Sequence, residues 1–255
     1  MKHYQNYIFD LYGTLVDIWT DENDPLLWQR MSEIYSCCGA DYSPEALKIA
    51  YHRIAVEEQE KLGALTGLQY PEIRLEDVFL RLYREAPVKH RAEISFRGKK
   101  EQALWLAMIA NTFRCLSTRR FRMYPRVKDV LTALRAQGHA IYLLSNAQRI
   151  FTIPELERLG LTEFFDAIYI SSDCGMAKPE AAFLRKLLEE QRLSAEDCVM
   201  IGNDWRSDMS VAAKCGVDGI FLNTDHYRES EIRAGLPKGR FRVIQSGDIA
   251  ELLPR

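Results

Sequence analysis

Four short stretches of this chain place polar, charge-bearing residues directly after apolar runs. Asp10 stands in D-L-Y-G-T-L after the run from Tyr4 to Phe9, with Gly13 permitting a tight backbone turn and Thr14 offering a hydroxyl. Ser145-Asn146 ends the run that begins at Ala140. Lys178, in A-K-P-E, lies just before a proline that starts a helix, so its ammonium would sit near a helix N-terminus already favourable to anions. Asp204 and Asp208 are four apart in G-N-D-W-R-S-D, and two hard carboxylates near a third suit Mg²⁺. Taken singly, each has a bland reading: a turn or capping aspartate, a solvated Lys-Pro loop, a pair capping the next helix. The question is whether the fold brings them together.

The elements implied by the pattern do so. Tyr4 to Phe9 reads as a buried strand ending in a tight loop. From Trp19 to about Met123 the spacing is helical, with Leu27, Met31, Ile34 and Tyr35 on one face and Leu75, Val78, Phe79 and Leu82 on another. Ser43-Pro44 offers an N-cap with proline at the first helical position, and Tyr70-Pro71 is expected to start the next helix. After Tyr124, helix and strand alternate: a helix carrying Val127, Val130, Leu131 and Leu134, a strand from Ala140 to Leu144, a helix near Ile153 to Leu159, a strand from Ala167 to Ile170, a helix from Pro179 with Phe183, Leu184, Leu187 and Leu188, a strand from Val199 to Ile201, a helix from about Ser207 to Cys215 and a strand from Gly219 to Leu222. Such alternation predicts a parallel sheet covered on both faces, with ligands at the carboxyl ends of the strands. Asp10, Ser145, Asp173 with Lys178, and Asn203/Asp204/Asp208 each follow a different strand, so four loops converge on one edge.

Composition narrows the classes. The chain has 255 residues and 47% hydrophobic composition, enough for a proper core. Lys and Arg number 34 against 36 Asp and Glu, a formal net charge of −2, so no overall basic field attracts nucleic acid or anionic lipid. The longest apolar run, Ala103 to Ala110, falls well short of the roughly 18–20 residues of a membrane span. The mixed polar and aromatic start, MKHYQNYIFD, shows no signal-peptide pattern, and a cytoplasmic protein is expected. The six cysteines form no C-x-x-C pair and read as reduced thiols.

In this order and at these strand ends, the stretches resemble the four motifs of the haloacid dehalogenase (HAD) superfamily of hydrolases: D-L-Y-G-T-L (Asp10 to Leu15), L-L-S-N (Leu143 to Asn146), Lys178-Pro179 and G-N-D-W-R-S-D (Gly202 to Asp208). The resemblance implies an α/β fold, a Rossmann-like parallel sheet core of residues 1–18 and 122–255, with an α-helical cap inserted as residues 19–121. It implies that the Asp10 carboxylate attacks phosphorus and that water then hydrolyses the aspartyl-phosphate. Mg²⁺ would be held by Asp10, the backbone carbonyl of Tyr12, Asp204 and Asp208. Thr14, Ser145 and Asn146 would bind substrate, and Lys178 would offset charge around the nucleophile. The partner implied is a small phosphorylated metabolite, not nucleic acid or a membrane; oligomeric state is not legible.

Two departures bear on activity. Phosphatases of this family carry a second aspartate two residues after the nucleophile, where this chain has Tyr12. A phenol is a poor acid/base near neutrality, and such help is worth about 10²–10⁴ in rate, so low or specialised activity is expected. The D-x-Y-G-T pattern is also that of the metal-independent L-2-haloacid dehalogenases, an alternative disfavoured by the carboxylate-rich fourth motif and by Phe183-Leu184 after Lys178-Pro179. A weakly catalytic phosphate-binding protein is a third reading. The second departure is one of register. Asn203 follows Gly202 where a metal-binding aspartate is usual; the distance from Asp204 to Gly216 favours Asp204 as the direct ligand, with Asn203 able to donate an amide oxygen. The histidines His3, His52, His90, His139 and His226 fall outside every motif, and the basic stretch around Lys89, His90 and Arg91 reads as a solvated face.

Overall fold

The computed structural model describes residues 4–89 and 96–253; His3, His90 and Arg91 lie outside them. The chain runs through β1 (Asn6–Phe9), β2 (Val16–Thr20), α1 (Pro25–Cys37), β3 (Ala40–Asp41), α2 (Pro44–Thr66), α3 (Leu75–Arg84), β4 (Val88–Lys89), α4 (Lys99–Ser117) and β5 (Thr118–Met123). It continues through α5 (Val127–Ala136), β6 (Ala140–Ser145), α6 (Arg149–Leu159), β7 (Ala167–Ile170), α7 (Ser171–Cys174), α8 (Ala181–Glu190), β8 (Cys198–Gly202), α9 (Ser210–Cys215), β9 (Asp218–Leu222), α10 (Glu229–Gly235) and β10 (Phe241–Ile244). It divides into two compact units. The first holds residues 1–18, 68–72 and 121–255, the second residues 19–67 and 73–120.

The first unit is built on a six-stranded sheet of order β10-β9-β8-β1-β6-β7, every neighbouring pair parallel. Side chains alternate across it. Tyr7 and Phe9 face the layer containing Val127, Leu131 and Leu156, while Ile8 faces Phe183, Leu187 and Ala212. β1 lies between β8 and β6, so the connections leave it in opposite directions and open a crevice at its carboxyl end. The register puts Phe9 level with both Leu143 and Ile201, so Asp10, Ser145 and the residues after Gly202 emerge on one edge.

The second unit is helical around a cluster of rings. Trp28, Tyr51, Phe79 and Phe113 pack with centroids 5.2–5.4 Å apart along the chain of contacts Trp28–Tyr51, Tyr51–Phe113 and Phe113–Phe79. Trp28 Nε1 donates to the Glu22 carbonyl, and the neighbouring Tyr35 Oη donates to the Phe79 carbonyl. Ser43 caps α2 with Pro44 at the first position, and Gly67 ends it in the left-handed region.

One expectation changes here. Tyr70-Pro71 does not begin a helix; α3 starts at Leu75, and residues 68–72 belong to the first unit, with Pro71 bridged antiparallel to Met176. A proline restricts its neighbour to extended backbone, and here that neighbour finds strand-like partners instead of a helix. Val16–Thr20 is a strand paired with β5. Met108 is exposed beside buried Ile109.

Candidate active site

Lys178 is the centre of the arrangement. Its ammonium donates to Asp10 Oδ1, Asp208 Oδ1 and the Leu144 carbonyl, each at 2.7 Å, so its three protons have three acceptors. The Lys178 and Asp208 side chains are each 1% exposed. Burial alone would lower the Lys178 ammonium, but the charges of Asp10 and Asp208 outweigh it and hold the group above its ordinary value. Asp208 is pushed up to about 7, first by burial and also by the Asp10 charge, against the pull of Lys178.

The rest of the edge closes around Asp10. Its amide is fixed by the Ile201 carbonyl at 2.9 Å. Thr14 Oγ1 donates toward Asp10 Oδ2 and Asn203 Oδ1, both at 3.3 Å, and Ser145 Oγ donates to Asp10 Oδ1 at 3.3 Å. Two glycines make the approach possible. A Cβ on Gly202 would lie 2.1 Å from Asp208 Oδ2, and one on Gly13, whose φ is +83°, would lie 2.3 Å from the Asn203 amide. A π turn from Trp205 to Met209 carries Asp208 back under Gly202.

The structure thus brings Asp10, Thr14, Ser145, Lys178 and Asp208 together, with Asn203 among them. Three of the expected side chains are engaged elsewhere in this structure. Asp204, expected as the direct metal ligand, uses its carboxylate to accept from Arg206 N and Ser207 Oγ, capping the π turn, because it sits at the start of that turn. The side chain hydrogen-bonded toward Asp10's partners is that of Asn203, oriented by donation from its amide nitrogen to Asp225 Oδ2 at 2.9 Å. Asn146, expected at substrate, instead grips the Lys178 backbone: its amide oxygen accepts from Lys178 N at 2.7 Å and its amide nitrogen donates to the Lys178 carbonyl at 2.9 Å. A side-chain amide mimics a peptide, and here it fixes the lysine loop. Asp173 pairs with Arg149 away from the cluster. Tyr12 turns its phenol to α6, where Oη lies 2.5 Å from Glu155 Oε2 and 3.1 Å from Thr152 Oγ1.

Other residues were not foreseen. Glu72 accepts from Gln148 Nε2 at 2.9 Å and from Ser171 Oγ at 3.1 Å, bracing the loop after Ser145. Burial raises its carboxyl against the opposing effect of those two hydrogen bonds. Thr224 Oγ1 donates to the Gly13 carbonyl at 2.5 Å. Thr224 and Asp225 follow β9, and the strand-end rule that found the other loops would have found them; no spacing points to Glu72 or Glu155.

The fold thus presents a doubly covered parallel sheet with an aspartate at its switch point, bonded to a buried lysine. The chain belongs to the haloacid dehalogenase-like hydrolases, whose family model matches residues 4–216. Among curated relatives it is 28% identical over 153 residues to the glyceraldehyde 3-phosphate phosphatase of Methanothermobacter thermautotrophicus, covering 60% of this chain and 67% of that one. It is 29% identical over 142 residues to a 5'-nucleotidase of Pseudomonas aeruginosa, covering 55% and 64%, and 34% identical over 101 residues to a phosphoglycolate phosphatase of Yersinia pestis, covering 40% and 43%. The matches therefore span from under half to about two thirds of these relatives. Among solved structures, a HAD phosphatase from Thermococcus onnurineus superposes with a TM-score of 0.59 at 15% identity over 97% of this chain and 95% of that one. A dehalogenase with an intermediate complex superposes at 0.58 and 16% identity over 100% and 99%, so the fold is shared by both chemistries. Among the described residues no helix is long and apolar enough to cross a membrane.

Proposed function

We propose that this chain is a Mg²⁺-dependent phosphomonoester hydrolase acting through an aspartyl-phosphate on Asp10, on a small phosphorylated metabolite, with specialised activity because Tyr12 stands where an acid/base aspartate is usual. The observation that carries this reading is the buried Asp10–Lys178–Asp208 set. Two carboxylates set around one ammonium repel a dianionic ester unless a cation is added. The side-chain oxygens gathered there are hard donors, the Asp10 and Asp208 carboxylates and the Asn203 amide, and the family resemblance adds the Tyr12 carbonyl. No group of three or more His, Cys, Asp or Glu able to hold a metal occurs among the described residues, so an amide and a backbone oxygen would have to complete the set. That suits Mg²⁺, which keeps several waters, and fits weaker binding than an all-carboxylate site gives. When bound, Mg²⁺ would screen the carboxylate from the phosphate.

The chain's own residues perform the rest. Lys178 on Oδ1 and the longer Thr14 hydroxyl contact on Oδ2 orient Asp10, so that Oδ2, the oxygen not held by the ammonium, is the one to attack phosphorus. Ser145 and Lys178 stand beside the nucleophile to stabilise the non-bridging oxygens as charge develops. The relatives named as phosphatases support this chemistry more directly than the dehalogenase, whose likeness is one of fold.

The test is a panel of aryl, acyl and alkyl phosphates with 2-haloacids, each assayed with Mg²⁺ and with chelator, on wild type and Asp10→Asn. Aryl and acyl phosphates should turn over with Mg²⁺, stop with chelator and recover on Mg²⁺ addition. Asp10→Asn should fold, by its melting curve, and show only background turnover. Halide release from a 2-haloacid in excess chelator would replace this reading with the dehalogenase one.

A further inference from the structure

We propose that Asp225 is a positioning residue that fixes which end of the Asn203 side-chain amide faces the site, so that an oxygen, and not an NH₂ group, is offered to a divalent cation; the proposal rests on the metal-dependent phosphatase reading. An asparagine amide carries an oxygen and a nitrogen of nearly equal size on one carbon, and only the oxygen ligates a cation. The partners of the two atoms therefore decide what the site presents. Asn203 Nδ2 donates to Asp225 Oδ2 at 2.9 Å, and Asn203 Oδ1 accepts from Thr14 Oγ1 at 3.3 Å.

Only one of these partners discriminates. A hydroxyl both donates and accepts, so Thr14 could serve either end of the amide. A carboxylate accepts and does not donate, so Asp225 takes the nitrogen and rejects the oxygen. Turned over, the amide would set its oxygen against the Asp225 carboxylate and aim its N–H groups at Thr14. The Thr14 hydroxyl also lies 3.3 Å from Asp10 Oδ2, so the end of the amide that faces Thr14 stands one hydroxyl away from the attacking oxygen.

Asp225 is exposed, so its hold on the amide depends on the loop that carries it. That loop is closed on itself. The side chain of Asn223, 1% exposed, accepts from Tyr227 N at 2.8 Å and donates to the Tyr227 carbonyl at 2.9 Å, tying the two ends of residues 223–227 together. Thr224 Oγ1 donates to the Gly13 carbonyl at 2.5 Å. The segment after β9 is thus pinned to the turn after Asp10 by one residue and to Asn203 by the next. The amide is wedged against the same turn, because a Cβ on Gly13 would fall 2.3 Å from Asn203 Nδ2.

The experiment is calorimetric titration of the protein with Mg²⁺ for wild type, Asp225→Asn and Asp225→Leu, and for the same two changes in the Asn203→Asp background, with melting curves in chelator to confirm folding. Asp225→Asn removes the charge and keeps an acceptor for Asn203 Nδ2; Asp225→Leu removes both, and Asp225→Ala repeats the comparison without the added bulk. Asp225→Leu should weaken Mg²⁺ binding by about tenfold, the lower end for outer partners of metal ligands because Asp225 is exposed, and Asp225→Asn by about threefold or less. In the Asn203→Asp background the side chain presents oxygen whichever way it turns, so the two changes should give equal Kd values. An Asp225 that acts by charge alone would give equal losses for Asn and Leu in both backgrounds, and one that only shapes the loop would give the same gap in both; either result overturns the proposal. No Mg²⁺ binding by wild type would remove the metal-dependent reading and the proposal with it, whereas equal Kd values for wild type and Asp225→Leu would remove the proposal alone.

Discussion

Each of the two units contains a cation set among carboxylates. Lys178 touches Asp10 and Asp208 at 2.7 Å with its side chain 1% exposed. Arg81 touches Glu57, Glu58 and Glu85 at 2.7–2.8 Å with its side chain 27% exposed. Counting contacts would rank Arg81 above Lys178. Physics ranks them the other way, because water competes for the Arg81 partners and screens them, while the Lys178 partners have no alternative. The buried set is consequently where chemistry can be run: its charges are held in place and keep their full strength. The exposed set decorates a helical surface.

Lys178→Met tests the upper end. It would leave two carboxylates buried against each other without a cation, at a cost of about 3–5 kcal/mol, and abolish turnover. Urea unfolding should show that loss essentially unchanged between low and high salt. A loss under about 1 kcal/mol would mean the set is far wetter than its burial indicates, and the contrast with Arg81 would collapse.

What the sequence disclosed follows the same division. Asp10, Ser145, Lys178 and Asp208 were legible because a parallel sheet delivers strand-end residues to one edge, and strands are read from apolar runs. The order of the runs also gave the layers. Spacing favoured Asp204 over Asn203, but both follow Gly202 closely and the turn that sends one side chain inward is a π turn, one residue wider than an α turn, which spacing does not encode. Asn146 was placed at substrate because its type allows that; only coordinates show both of its amide groups taken by the Lys178 backbone. Glu72 lies between two helices of the insertion, and its partners are 76 and 99 residues away, a pairing that no local pattern encodes.

Glu72→Gln gives an intermediate effect that is sensitive to pH. Burial raises the Glu72 carboxyl in the folded protein. The folded state therefore binds this proton more tightly than the unfolded chain does. Stability contributed by the group is complete below the ordinary carboxylate value and falls as pH rises through the raised one. Glutamine can donate to Ser171 Oγ and accept from Gln148 Nε2, keeping the brace without the buried charge. The variant should gain on wild type as pH rises from about 4 toward neutrality, by on the order of 1 kcal/mol, and hold that gain above. Melting temperatures of both proteins across this range would check it; a variant that loses ground on wild type as pH rises would show that the ionised carboxylate itself is what the brace requires.

Arg81→Met should have the smallest effect, and the reason lies in its neighbours as well as its exposure. Arg53 bonds Glu57 at 2.7 Å and Glu85 at 3.2 Å, so Arg53, Glu57, Arg81 and Glu85 form a closed ring of alternating charge on the second unit. Removing Arg81 leaves Glu57 and Glu85 paired to Arg53, and Glu58 free to turn to water. Methionine keeps the apolar stem that packs along the helix. The expected loss is about 1 kcal/mol or less, and it should shrink toward zero in about 1 M salt, where the screening length falls to about 3 Å. Urea unfolding of wild type and variant at low and high salt reads this directly. A loss of about 3 kcal/mol that salt leaves untouched would place Arg81 in the same physical class as Lys178, and burial would no longer be what separates the two.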